Sequence, residues 1–427
     1  MEPEAWKPRW ESLAAAGYHL RLNGLSERNH PRTNLADAVD RTGRRVLLKV
    51  VSKSENPHEV SLARLLSSPA HANPTNHCIP VLDVLQDPHD SDLQLLAMPL
   101  CIGFNRPKFD TVGEVVDFIR QIFEGIQYMH GIYIAHRDCN FTNVVQDPAV
   151  YPDGDFHPSA PWMDAAHEHF ARPITRTECW PRYYIIDFGL SRQYDPRHGP
   201  PLEHVILGGD KTPPEHQDRL GCNPFPTDIY YLGNLVRGLA RPTWRPGGIS
   251  YAPPHPPLSF LLPLIDQMMH KDPRMRPTIG DAVAQFAELC QRLTKAQLRR
   301  PARPLSWINS LSHRLRQAKR AWAGVPPLPS YSYTPPAPLS DDMRAFFTEV
   351  PKSSTPSPSD CGSASCDYCV CITLSNITRE GSVLDVIRIV TGMRYAPCNA
   401  STRLRQRVRS QRFTWYRARY LQSLLNF

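Results

Sequence analysis

The chain has 427 residues and 48.5 kDa, 41% hydrophobic and 21% charged, enough apolar material for one large core or two ordinary ones. Its 44 prolines, roughly twice average usage, crowd between and after the periodic segments and argue against long helical bundles and coiled coils. The net charge of +8 is uneven: residues 297–427 hold 19 Lys+Arg against 7 Asp+Glu, leaving 30 against 34 for residues 1–296, so an enzyme-like globule is expected to precede a basic, Pro- and Ser-rich, partly disordered appendage.

No stretch approaches the roughly 18 consecutive apolar residues of a membrane span, and the start, Met1 to Lys7, lacks a basic-then-apolar signal layout. Eleven cysteines, most of them scattered singly, fit a reducing compartment better than a disulfide framework. An intracellular protein, cytoplasmic or nuclear, is the expectation.

Residues 1–14 read as an N-terminal extension. Leu35 to Val39 and Val46 to Val51 flank Asp40-Arg41-Thr42-Gly43, a turn at hairpin spacing. Asn56-Pro57 opens a helical pattern with Val60, Leu62, Ala63, Leu65 and Leu66 on one side, and strand-like runs follow at Ile79 to Leu85 and Leu93 to Met98. Residues 15–100 thus form a mostly β module with one helix. From Thr111 the apolar positions recur at three and four (Val115, Phe118, Ile119, Ile122, Phe123, Ile126, Met129), the pattern of a core helix. A strand-like run from Arg182 to Ile186 and helical patterns at Asp228 to Leu239, Leu258 to Met269 and Ile279 to Leu293 complete a helical module over 101–296. A Pro-, His- and Asp-rich stretch at 148–181 reads as an inserted loop. No internal repeat is apparent.

Within this α+β layout, His136-Arg137-Asp138-Cys139-Asn140-Phe141-Thr142-Asn143 resembles the catalytic loop of eukaryotic protein kinases, and Asp187-Phe188-Gly189 resembles their metal-binding loop. Val46-Leu47-Leu48-Lys49 upstream, Pro213-Pro214-Glu215 in the Ala-Pro-Glu position, Asp228 to Gly233, and Asp272-Pro273-Arg274-Met275-Arg276-Pro277 follow in the family's order. The resemblance covers about residues 15–296, and the chain is also similar in flavour to divergent kinase-like families of basidiomycete fungi. It implies a bilobal fold, a small β-rich lobe and a larger helical one with ATP and Mg²⁺ between them.

Phosphoryl transfer leaves the protein little covalent work, so positioning and electrostatics around a triphosphate and its metal carry the catalysis. The resemblance gives Asp138 the proton of the attacking hydroxyl, Asn143 and Asp187 the metal, and Lys49 the α- and β-phosphates with Glu59 as its partner. The blander alternatives are an edge-strand gatekeeper and a solvated helix face, and Lys53 is the runner-up cation. Glu215 and Arg276 match an anchoring ion pair, Asp228 the carboxylate that holds the catalytic loop, and Arg137 the arginine preceding the catalytic Asp in kinases switched by phosphorylation. Adenine is expected near Ala38 and at the main chain of Met98 to Leu100, with Ala97 behind it.

The sequence also departs from that pattern. The family's glycines fall on Arg28, His30 and Thr33, with Pro31 among them, which leaves the phosphate lid in question, although Arg28 or His30 offers a cation. Lys two residues after the catalytic Asp, or Arg four after it, is replaced by Asn140 and Thr142, so activity is expected to be slow unless another base such as Lys211 moves in. The activation-segment threonine is Gly208, so no obligatory phosphorylation there is expected. These losses keep open a pseudokinase, a nucleotide-binding or scaffold module.

Residues 305–322 place Trp307, Ile308, Leu311, Leu315 and Trp322 near one helical face and Arg314, Arg316, Lys319 and Arg320 near the other. Docking by the apolar stripe onto the kinase-like module is the favoured reading, with an acidic partner, a membrane surface or nuclear import as the alternatives. Cys361, Cys366, Cys369 and Cys371 lie too close together for an ordinary zinc module. The Arg- and aromatic-rich stretch from Arg403 to Phe427 is weak grounds for nucleic-acid binding and receives no function.

Overall fold

Apolar alternation and a tight turn build the hairpin between Leu35 and Ser52. At Asp40 to Gly43 the Asp40 carboxylate accepts the amides of Thr42 and Arg44 at 2.9 and 3.0 Å, and Gly43 takes a left-handed φ of 82°. The computed structural model describes residues 6–21, 34–206, 209–217, 221–241, 255–330 and 339–349 and is a mixed α+β protein. Helix α1 (Trp10–Ala15) precedes β1 (His19–Leu20), β2 (Leu35–Val39) and β3 (Arg45–Ser52). Helix α2 (Glu59–Ser67) connects to β4 (Asp83–Gln86), and β5 (Leu93–Pro99) completes a curled antiparallel sheet of order β1-β2-β3-β5-β4.

Register decides what each face of that sheet carries. Leu48 pairs with Ala36 and Ala97, and Lys49 with Leu35 and Leu96, so adjacent residues project to opposite sides. Ala36, Ala38, Val46, Leu48, Leu95 and Ala97 pack with Trp6, Leu13 and Tyr18. Residues expected to be an N-terminal extension therefore supply Trp6 and Leu13 to the core, where they join Tyr18 in covering the apolar face of the sheet.

The chain continues through β6 (Ile102–Gly103), α3 (Val112–Gly131), β7 (Ile134–Ala135), β8 (Val144–Gln146), α4 (Arg176–Cys179), β9 (Tyr183–Ile185) and β10 (Arg192–Gln193). Helices α5 (Pro224–Ala240), α6 (Leu262–Met268), α7 (Ile279–Gln291), α8 (Lys295–Leu298), α9 (Trp307–Trp322) and α10 (Asp341–Thr348) follow. Thr111 caps α3 by accepting the Glu114 amide, and the seven apolar positions predicted for α3 are all buried. That helix packs against α7 and β9 and forms the centre of the main core. None of the helices among the described residues is long and apolar enough to cross a membrane.

Several segments differ from expectation. Of the run from Ile79 to Leu85 only the end belongs to a strand: the Ile79 amide donates to Ile185 at 3.0 Å, tying this stretch to β9. The insertion at 148–181 contributes Val150, Tyr151 and Phe156 to a buried cluster with Leu100 and Ile102. Beyond residue 297, Leu298 and Ala302 join the main core, while Phe346 and Phe347 pack on Ala135 and Phe225. The charge shift marks a change of surface, and packing continues to residue 349. Helix α9 forms where the pattern placed it but docks by its polar face, burying His313, Gln317 and Arg320. Asp110 draws it in, accepting Arg316 at 2.6 Å and Gln317 at 3.1 Å, and Arg320 bonds Thr175 at 2.6 Å and Glu178 at 3.1 Å. Arg28, His30, Pro31, Thr33, Gly208, the cysteine run and the stretch 403–427 lie outside the described residues.

Candidate functional site

Four segments far apart in sequence meet at a cleft of about 270 Å³ lined by Asn34, Lys49, Asn56, Glu59, Asp138, Asp187 and Gly189, among others. Lys49 projects from β3 on the face opposite Ala38. Its ammonium donates to Glu59 on α2 at 2.5 Å and to Asp187 at 2.7 Å. Burial works against the charge, but the two carboxylates outweigh it and hold the Lys49 pKa above its ordinary value. Asp187 is also opposed by burial, yet Lys49 brings it below its ordinary value, whereas for the deeper Glu59 burial outweighs Lys49 and the shift is upward. Two carboxylates share one ammonium, and the more buried one bears the cost. Lys53, the alternative cation, reaches Gln86 at 3.5 Å at the sheet's outer edge.

Asp138 follows β7 in a loop pinned from below. Asp228, fully buried on α5, accepts the amides of His136 and Arg137, each at 2.8 Å, and also bonds the His130 ring at 3.0 Å. This clamp holds Arg137 at φ 69°, a left-handed conformation that costs a non-glycine residue roughly 1–3 kcal/mol. Asp187 is held likewise at φ 71°, with Phe188 buried behind it against the His136 ring. Asn140 donates to one Asp138 oxygen at 2.6 Å and Asn143 to the other at 2.8 Å. Burial is the main reason that the Asp138 pKa is raised, and these amide bonds work against it. Asn140 thus orients the Asp138 carboxylate.

Arg137 donates to the carbonyls of Leu190 and His204, both at 3.1 Å, and pairs with Glu203 at 3.2 Å. Glu203 also accepts the Tyr194 hydroxyl at 3.0 Å. Nothing in the local sequence singled out Glu203; its role arises from a long-range contact. Gly209 also escaped notice: a Cβ there would lie 2.0 Å from an Asp138 oxygen, so only glycine lets the backbone pass so close. Glu215 and Arg276 form a bidentate pair, both bonds 2.7 Å, that is almost wholly buried. Burial alone would raise Glu215, but the Arg276 contact prevails and holds it below its ordinary value.

The residues expected around a base are placed differently. Ala38 and Ala97 belong to the cluster on the sheet face away from Lys49, because their strand registers put them opposite Val46 and Leu48. Met98 shares the Lys49 face but is buried in the main core, and Leu100 is buried with its amide donating to Arg45 at 3.2 Å. Leu47, two residues before Lys49, packs against the cluster containing Tyr151 and Phe156. Arg45 closes this side, its guanidinium 4.3 Å from the Phe156 ring centre and bonded to the carbonyls of Gly154 and Phe156. Burial, then the charge of Arg21, lowers the Arg45 pKa to about 10.

Asp187 and Asn143 offer hard oxygen donors of the kind that suits Mg²⁺, which commonly takes only one or two carboxylates and completes its shell with water and phosphate. Among the described residues lining the cleft, the carboxylates of Glu59, Asp138 and Asp187 stand around the Lys49 ammonium. Compared with known proteins, the chain matches no family model and no curated protein.

Proposed function

We propose that the chain is an ATP-dependent phosphotransferase of the protein-kinase type, acting on a Ser or Thr hydroxyl of a protein. The observation that carries this reading is the convergence of Lys49, Glu59 and Asp187 beside an Asp138 oriented by two amides. The sheet order with a single helix between β3 and β4, followed by a helical part, agrees with the two-lobed arrangement that the motif resemblance implies. Asp187 and Asn143 would hold Mg²⁺, which supplies charge neutralisation at the phosphates when bound. Lys49 positions the triphosphate, and Asp138 accepts the proton of the incoming hydroxyl while Asn140 and Asn143 fix its carboxylate.

Two observations favour a second reading, a nucleotide-binding or scaffold pseudokinase. Gly209 lies against Asp138, and Leu47, on the Lys49 face of the sheet, packs against the cluster that holds Tyr151 and Phe156. A calorimetric titration of the full chain with ATP, with and without Mg²⁺, paired with transfer of labelled γ-phosphate to casein and histone, separates them. The kinase reading expects Mg²⁺-dependent binding that Asp187→Asn abolishes, and transfer that Asp138→Asn abolishes without loss of binding. Absence of ATP binding by folded protein at millimolar nucleotide would refute both nucleotide readings and leave the scaffold.

A further inference from the structure

Helix α9 turns outward the side that an amphipathic helix normally hides. Trp307, Ile308, Leu311, Leu315 and Trp322 are 78%, 59%, 54%, 65% and 89% exposed. At about 100° per residue they fall within a single arc about 100° wide. Arg314 and Lys319, both exposed, border that arc on its two sides. Between residues 289 and 340 the sequence holds nine Lys and Arg and no Asp or Glu, so no acidic side chain from this stretch offsets them.

We propose that α9 is a peripheral membrane element whose outward face seats in the interface of an anionic bilayer. Three features select this occupant. The inward face is already bound to Asp110, Thr175 and Glu178, so a protein that wraps a helix would first have to pull it off the body, whereas a flat surface needs only the free side. The cations at the edges match acidic headgroups, and tryptophans near the helix ends suit the depth where headgroup and acyl chain meet. Its 16 residues, rich in charge, lie along a surface and do not cross it. Isolated apolar side chains on a surface are ordinary, but a continuous apolar stripe with basic borders is the composition of an interfacial helix.

Cosedimentation of the full chain with vesicles of phosphatidylcholine and phosphatidylserine, and with phosphatidylcholine alone, tests this. Partition to the anionic vesicles is expected, weaker on the neutral ones and falling steeply with salt, a readout that requires no variant. Arg314→Gln with Lys319→Gln should lower it about 30-fold, and Leu311→Glu with Leu315→Glu about 100-fold. All four side chains are exposed, so melting curves should match the parent. Failure to bind anionic vesicles overturns the proposal, as does binding unaffected by either pair of substitutions. Absence of vesicle binding together with self-association lost in the leucine pair would assign the face to a second copy of the chain.

Discussion

Lys49→Met tests the centre of the site, and its cost can be worked from the geometry. The ammonium bonds Glu59 at 2.5 Å and Asp187 at 2.7 Å, but the carboxylates differ: the Glu59 side chain is 4% exposed and that of Asp187 47%. Water takes over most of what Asp187 loses, so the penalty falls on Glu59, left buried and unpaired. Breaking a buried pair costs about 3–5 kcal/mol, and because Glu59 can neutralise itself by taking up a proton, a loss near the lower end, about 3 kcal/mol, is expected. Adding Glu59→Gln removes the orphaned charge and should restore most of the urea midpoint. Transfer should behave otherwise, falling roughly 10² to 10³-fold in both variants, because each lacks the contact to the phosphates that we propose for Lys49. An unchanged midpoint in Lys49→Met would refute the buried pair. Unimpaired transfer in the double variant would reduce Lys49 to a structural residue.

Arg276→Ala should lose about 3–5 kcal/mol by stranding Glu215, read as a lowered urea midpoint. Because Arg276 holds Glu215 below its ordinary 4.5 against the effect of burial, the pair's contribution is complete above about pH 4.5 and is lost as pH falls through the lower folded value. The stability gap between parent and Glu215→Gln should therefore be constant from neutral pH down to that point and close below it. Asp138 is shifted the other way, chiefly by burial, so transfer should show an acid limb with its midpoint above the ordinary 3.8; a midpoint at or below that value would remove Asp138 as the base. Active protein should carry no obligatory phosphate in the activation segment: Glu203 already faces Arg137, and the Thr212 hydroxyl donates to Asp210 at 2.7 Å, where a phosphate would meet a carboxylate. Stoichiometric phosphate at Thr212 by intact mass would contradict this.

The polar site was legible in the sequence because its residues sit in short motifs whose spacing a loop preserves. Asp138 and Asn143 belong to one turn, and the Asn143 amide bonds the Asp138 carboxylate directly. Lys49 and Glu59 were assigned from a strand and the start of a helix, and they meet. The residues expected around a base were less legible, since strand register, invisible in a linear pattern, decides which alternate residues face the cleft. A shift of one residue is enough to exchange Ala38 for a neighbour on the other side. Glu203, Gly209 and Phe156 act through contacts between segments that no local spacing encodes.

Helix α9 makes the same point in energetic terms. Its periodicity shows which residues segregate to which face but not which face meets the body, since that depends on the complementary surface. An apolar stripe gains by burial only where an apolar groove waits, at roughly 25 cal/mol per Å². The surface beside α3 presents Asp110, and Glu178 of α4 stands beside it, so a face carrying Arg316, Gln317 and Arg320 finds charge-assisted bonds there. Docking the apolar face instead would bury carboxylates against tryptophan and leucine without partners, at a cost of several kcal/mol per charge. The acids on the body choose the polar face, and the apolar stripe is left outward because of them.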